Sequence, residues 1–445
     1  MTDAEPAGAE RHASWLELFF DLVVVAGIGQ LAHLLAVDSS AGGLGVYAVA
    51  FTAFWLVWAC FTAYSNIVGE AVHVATMLIG MACLGVMVAA VPEVHDEHAR
   101  AFAIAYVVGR VVVARPWRAG TVVVDLPVLQ ASFGVVPWIV SIWVGGDARY
   151  WLWALGLALD LLLLVSTTRD RLVADTQRRL DRMLASVQRR AEERRRRAES
   201  RRRRPRGGPQ AERVEDRRTG VEDAGERARD LPTTVQVAGA DLPHLAERLS
   251  LFVLIVLGES LIQVIEGASE VTWDRTLAVT GLGAFVLITG LWAVGVRHGY
   301  AGVALLRPDA LPARLSWLAH LVTTGALATM AAVVARLVEE PEASVVDHDR
   351  WLIVAAFGVY GLGSALVHVV LAGRAPAGSP ARRVARARAL CVGVPVALAV
   401  LVDAVRQEPA AEGLVWTLAA AVVMVLVASS WAARRLAGVV PPAHD

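Results

Sequence analysis

Trp15-Leu-Glu-Leu-Phe-Phe-Asp-Leu-Val-Val-Val-Ala-Gly-Ile-Gly-Gln-Leu-Ala-His-Leu-Leu35 reads as one apolar run, long enough to cross a bilayer as a helix of about 20 residues. It places Glu17 and Asp21 at its entry and Gln30 and His33 toward its far end. A second stretch repeats the plan: Glu247-Arg-Leu-Ser-Leu-Phe-Val-Leu-Ile-Val-Leu-Gly-Glu-Ser-Leu-Ile-Gln263. Laid with Glu17 on Glu247, both begin with a carboxylate and continue through an aromatic and a β-branched block. Gln30 then falls on Ser260 and His33 on Gln263. Polar residues at matching depths in two apolar helices predict an internal duplication.

The rest of the chain agrees with a membrane solvent. Of its 445 residues 56% are hydrophobic, and the mean hydropathy is +0.52, above the roughly 45–50% apolar content of soluble domains. The formal net charge is zero, and all 42 basic residues are arginine. Cys60, Cys83 and Cys391 lie inside apolar runs, with neither metal spacing nor a disulfide framework. No small-residue cleavage site closes the first run, so it is expected to stay as an uncleaved span.

Twelve runs have near-spanning length: 16–37, 44–66, 71–91, 99–114, 121–144, 150–167, 246–268, 276–296, 315–338, 351–371, 387–406 and 413–433. Arginine marks cytoplasmic loops. The loop with Glu93, Asp96 and Glu97 is acidic, and so is that with Glu339, Glu340, Glu342, Asp347 and Asp349. Basic loops carry Arg115 and Arg118, then Arg374, Arg382, Arg383, Arg386 and Arg388, and the tail has Arg434 and Arg435. Twelve spans with both termini cytoplasmic satisfy all of these, whereas ten or eleven would put a basic loop outside. The expected fold class is therefore an all-α integral membrane protein with about twelve transmembrane helices in two parallel six-helix repeats, 1–167 and 246–445. Weaker echoes keep the same order: His73 with His320, Tyr106 and Gly109 with Tyr360 and Gly363, Ala53-Phe54 with Ala284-Phe285.

Residues 168–245 interrupt this pattern with about half of the arginines, including runs at 194–197 and 201–204. Up to about Ala198 the spacing permits a charged helix continuing from the sixth span. Pro205, Gly207, Gly208 and Pro209 then break it, and the remainder is expected to be a disordered cytoplasmic linker. Its arginines either enforce topology or touch anionic lipid. Without interleaved aromatic residues, nucleic acid is not the expected partner.

Charged groups at bilayer depth need a partner or a wet cavity. Glu17 and Asp21, spaced i, i+4, share a helix face. At similar depth lie Arg110, Asp125, Asp160 and His73, so Arg110 paired with Asp21 or Asp125 is the expected ion pair. The alternative is a structural lock between helices. Glu259 sits about halfway along its run, and Gln263 and Glu266 follow on the same stripe. This makes Glu259 a candidate proton or cation site, or else interhelical glue. His33, His73, His320 and His368 read as satisfied core histidines, and Trp151, Trp153, Trp273 and Trp351 as interfacial belts. No phosphate-binding glycine loop, nucleophile elbow, HExxH or CxxC occurs, so neither an enzyme nor a bound cofactor is expected.

Glu17-Leu-Phe-Phe-Asp-Leu-Val, with His244-x-x-Glu247-Arg248 and Leu257-Gly-Glu-Ser260, resembles the bacterial low-temperature-requirement protein A (LtrA) family. The resemblance spans the chain except its charged middle and implies a polytopic bacterial inner-membrane protein with no settled substrate. Phe20-Asp21-Leu-Val-Val-Val-Ala also resembles the Phe-Ser-Asp-Gly-Val-Phe-Ala opening of the lysosomal-type potassium channel family. Members of that family have one or two six-helix repeats, with the first helix lining the pore; here Phe20 stands in place of its Ser. The expected function is movement of a small ion or solute, a cation or proton among the candidates. The expected path is lined by Glu17, Asp21, Gln30, His33, Glu259, Ser260, Gln263 and Glu266. The alternative is a non-transporting scaffold or sensor linked to cold growth. Membrane lipid is the expected surrounding, and a homo-oligomer is allowed. The two readings part on whether the polar residues of the first and seventh spans converge on a cavity.

Overall fold

A computed structural model describes residues 12–69, 72–118, 122–124, 133–167, 169–202, 236–238, 240–298, 313–340, 347–406 and 410–436. The first half holds α1 (Trp15–Val37), α2 (Ala41–Val68), α3 (Val74–Ala90), α4 (Ala99–Arg118), α5 (Val135–Ser141) and α6 (Ala148–Ser166). After α7 (Arg169–Arg202) come α8 (Leu242–Glu270), α9 (Arg275–His298), α10 (Ala313–Glu339), α11 (Asp347–Arg374), α12 (Pro380–Val405) and α13 (Ala411–Leu436). Two three-residue strands, β1 (Val122–Val124) and β2 (Gln236–Ala238), pair in parallel.

Among the described residues nine helices are long and apolar enough to cross a membrane: α1, α2, α6 and α8 to α13. The helix α3 is apolar but has 17 residues, and α4 carries Arg100, Arg110, Arg115 and Arg118 along its 20 residues. The core is apolar, but at several positions burial departs from that of a water-soluble protein. Leu22, Leu162, Leu254, Leu366 and Leu390 point outward, while Asp21, Arg110, Asp160 and Arg248 are buried. Outward leucines and inward charges suit hydrocarbon as the solvent. The chain is a multi-pass helical membrane protein. Trp151, Trp273 and Trp351 are exposed near helix ends, as an interfacial belt requires. Trp153 is not part of it: its ring stacks on Trp138 at 4.8 Å and its Nε1 donates to Ser141 Oγ at 2.8 Å.

Local signals set the helix starts. Ser14 and Glu17 form a capping box: Glu17 N donates to Ser14 Oγ at 3.3 Å, and Ser14 N donates to Glu17 Oε2 at 2.8 Å. Asp241 caps α8 by accepting from His244 N at 3.3 Å, with Pro243 in the first turn, where its missing N–H costs nothing. At the end of α2, Gly69 takes φ 67, a left-handed turn that glycine adopts freely.

The contacts also fix directions. Glu17 faces His244, Asp21 faces Arg248 and Gly29 faces Glu259, so α1 and α8 run parallel. Phe102 meets Trp153 and Arg110 meets Asp160, so α4 and α6 also run parallel.

The fifth apolar run, 121–144, does not form one spanning helix. Among its described residues Val122–Val124 is extended and Val135–Ser141 is helical. Gly134 and Pro137 sit at the start of that short helix, where glycine ends a preceding segment and proline is tolerated in a first turn. Packed antiparallel to α4 and α6, α5 fills part of the return between them: Tyr106 stacks on Trp138 at 4.0 Å, and Gly134 lies against Asp160. The charged helix expected after the sixth span is present as α7 and reaches Arg202. It is not continuous with α6, because Thr167 is extended. Asp125 and residues 203–235 of the expected linker lie outside the described residues. The linker, expected to run to 245, ends earlier: Gln236–Ala238 is a strand and α8 already starts at Leu242, where Asp241 caps it.

Candidate functional site

The polar residues of α1 and α8 meet in two places. At the end where both helices begin, two acids face two bases, each pair spaced i, i+4 so that it shares a face. Arg248 Nη2 donates to Asp21 Oδ1 at 2.8 Å, and its Nη1 lies 3.8 Å from Glu17 Oε1. His244 Nε2 lies 3.4 Å from Glu17 Oε2. Asn66, on α2, organises this corner. Its Nδ2 donates to Asp241 O at 2.9 Å, and its Oδ1 accepts from Asp241 N at 2.9 Å. The same Nδ2 is 2.9 Å from His244 Nδ1, which places the imidazole proton on Nε2, facing Glu17.

An aromatic layer follows toward the middle. Trp58 Nε1 donates to Asp21 Oδ1 at 3.0 Å, and the Trp58 ring packs on Phe252 at 4.3 Å and stacks on His320 at 5.7 Å. His320 accepts from Trp55 Nε1 on Nδ1 at 3.0 Å and donates from Nε2 to Leu249 O at 3.1 Å. Both ring nitrogens are therefore satisfied in one neutral tautomer, as a core histidine requires. His368 is also buried, with Nδ1 2.8 Å from Ser364 O. His73 differs from its expected counterpart His320: it is exposed and precedes the first residue of α3.

Beyond this layer α1 and α8 part around a cavity of about 810 Å³, walled also by α3 and α10. Gln30 and His33 line it from α1, and Glu259, Gln263 and Glu266 from α8. Gln263 Nε2 donates to Glu259 Oε1 at 3.3 Å. Glu259 is half-buried, whereas Glu266 is exposed toward the far end of the helices. Three expected members of the path lie elsewhere. Glu17 and Asp21 belong to the ion cluster, and Ser260 turns its hydroxyl to Val256 O at 2.7 Å inside its own helix. Asp125 lies outside the described residues. The α10 residues Arg336 and Glu339 line the cavity without having been anticipated: Glu339 reads as a loop charge, and Arg336 lies within the last turns of the run 315–338, where an arginine can reach the interface. Arg336 Nη2 donates to Asp349 Oδ2 at 2.8 Å, which neutralises it locally.

The cavity walls pair by position. Laid with Glu17 on Glu247, Gly29 falls on Glu259, His33 on Gln263 and Ala36 on Glu266, and all six residues line the cavity. Laid with His73 on His320, Gly85 falls on Ala332, Val88 on Ala335, Ala89 on Arg336 and Pro92 on Glu339, and all eight line it too.

The expected pairing of Arg110 with Asp21 is not formed. Arg110 Nη1 donates to Asp160 Oδ2 and to Tyr106 OH, at 2.6 and 2.9 Å, while Asp160 Oδ1 accepts from Gly134 N at 3.3 Å. This pair joins α4 to α6 and holds the start of α5, away from the cavity. Asp21 takes Arg248 because parallel packing of α1 on α8 brings the two i, i+4 pairs to the same level. A spacing comparison of Glu17/Asp21 with His244/Arg248 would have found it.

Neither a curated protein nor a solved structure is found to match the chain. A family model described as bacterial low temperature requirement A protein (LtrA) matches residues 12–440. The chain belongs to that family.

Proposed function

We propose that this protein moves a small cation or other small solute, the proton included, across the bacterial inner membrane, and that Glu259 is the deepest charged contact on the path. One observation carries the reading. Gln30 and His33 of α1 and Glu259, Gln263 and Glu266 of α8 open onto a single cavity rather than pairing off at separate helix contacts. A carboxylate placed that deep, with no ion pair among the described residues, is costly unless water or a ligand reaches it.

The same reading takes the chain as twelve crossings in two parallel six-helix repeats, with the cavity between them. Support comes from the parallel course of α1 and α8 and from the position-by-position pairing of the cavity walls. Binding sites at repeat interfaces near the bilayer midplane are common in transporters built this way. With the arginine-rich loops and both termini in the cytoplasm, the cavity opens outward. The aromatic layer and the Glu17–Asp21–Arg248–His244 cluster close the inner end. The protein then acts as a permeation device and not as an enzyme.

The test is flux into proteoliposomes over a panel of ions, with and without a pH gradient, for the wild type and for Glu259→Gln. Flux that collapses in the variant supports the proposal. A well-reconstituted wild type that moves none of them overturns it in favour of a scaffold or sensor.

A further inference from the structure

The chemistry of the cavity names a ligand class, on the premise that the cavity is the permeation site. We infer that it accepts an organic amine cation, and that a linear diamine is the smallest molecule to engage it fully. Three features lead there. The volume, about 810 Å³, lies within the roughly 300–1,000 Å³ typical of organic ligand sites; a dehydrated inorganic ion would leave most of it empty. Between the polar groups the walls are small and apolar, with Ala26, Ala32, Val88 and Ala335 among them, which suits methylene groups. The charged lining is dominated by acceptors: Glu259, Glu266 and Glu339 carry carboxylates, while Arg336 is already held by Asp349.

The carboxylates are also arranged for separated charges. Glu259 and Glu266 are two turns apart on α8, about 10 Å along its axis at 1.5 Å per residue. Among the described residues no three His, Cys, Asp or Glu side chains converge as they would on a metal ion. Two ammonium groups joined by a short methylene chain match two carboxylates at different depths with apolar wall between them. Gly29 completes the fit at the deep end. A Cβ there would lie 2.4 Å from Glu259 Oε1, so the absence of a side chain leaves that carboxylate its room.

The experiment is calorimetric titration of the full chain in nanodiscs with putrescine, choline, potassium chloride and magnesium chloride. Putrescine is expected to bind more tightly than choline, which has one charge and no N–H to donate. Glu259→Gln and Glu266→Gln are each expected to weaken putrescine at least about tenfold, the loss of one charge-assisted hydrogen bond. Glu266 lies at the exposed mouth, so its variant carries the test if Glu259→Gln fails to fold. Absence of putrescine binding, equal binding by both variants, or displacement by magnesium or potassium beyond simple screening would each overturn the inference. Putrescine binding without flux in proteoliposomes keeps the ligand class and removes the permeation reading. Flux of inorganic cations without putrescine binding does the reverse.

Discussion

Glu259 of α8 lies so close over Gly29 of α1 that a Cβ built on the glycine would stand 2.4 Å from the carboxylate oxygen Oε1. On the proposed two-repeat reading the two residues are counterparts, one contributing no side chain and the other the acid. Gly29→Ala is therefore expected to displace the carboxylate, not to break the helix. Alanine favours a helix interior over glycine by about 1 kcal/mol, and the atom it meets is the end of a flexible side chain. Thermal stability should change by only a few degrees while flux, or amine binding, falls severalfold. An unchanged flux would mean that the position of Glu259 does not matter.

Glu259→Gln keeps size and most hydrogen-bonding capacity and removes the titratable charge. The variant should insert and elute as a single species, because an amide is less costly than a carboxylate at this depth. Transport should fall at least tenfold and lose any dependence on pH. Size-exclusion profiles with proteoliposome flux check both halves. Normal flux with normal pH dependence would leave Glu259 as a helix–helix contact.

The ion cluster at the other end of α1 should behave in the opposite way, affecting stability before activity. Breaking a buried pair by removing one partner costs about 3–5 kcal/mol. Arg248→Met removes the one arginine that faces both Asp21 and Glu17 in this cluster, so it should be more damaging than Asp21→Asn, which keeps an acceptor for Trp58 Nε1. Pairing Arg248→Met with Asp21→Leu should recover part of the loss. Thermal unfolding in detergent across this set gives the order, and a double variant no more stable than Arg248→Met would contradict it.

The limits of sequence reading can be traced to particular residues. Helical period puts Glu259, Gln263 and Glu266 on one stripe, and Gln30 and His33 stand out as polar residues toward the far end of the first run; all five line one cavity. Arg110, expected beside Asp21 or Asp125, stands beside Asp160 instead, because depth along a helix says nothing about which neighbour packs against it, and in the sequence Arg248 stands out only as part of a motif. Arg336 and Glu339 were hidden by their place at the end of an apolar run, where charges ordinarily belong to solvent. The run at 121–144 looked continuous because hydropathy averages over Gly134 and Pro137. Those residues are the local signal for a break, and among the described residues of the run Val122–Val124 is extended and Val135–Ser141 helical.

That broken run yields the sharpest topological prediction. Since α4 and α6 are parallel and in register, with Arg110 on Asp160 and Tyr150 OH donating to Val94 O at 3.2 Å, their starts share one end of the bundle. The chain must then return between them despite the short α5. Single cysteines at Asp96 and Asp147, both exposed, should react with an impermeant reagent from the same side as one at Asp347. Cysteines at Ser14 and Asp175 should react only from the other. Native Cys60 and Cys83 are buried and should contribute little background, but Cys391 is partly exposed and needs replacement by serine. With arginine on the cytoplasmic side, the first three positions are expected outside and the last two inside. Protection of Asp147 alongside labelling of Asp96 would mean that no crossing separates α4 from α6. The two halves of the chain would then be inverted relative to each other, and the parallel-repeat reading would fail.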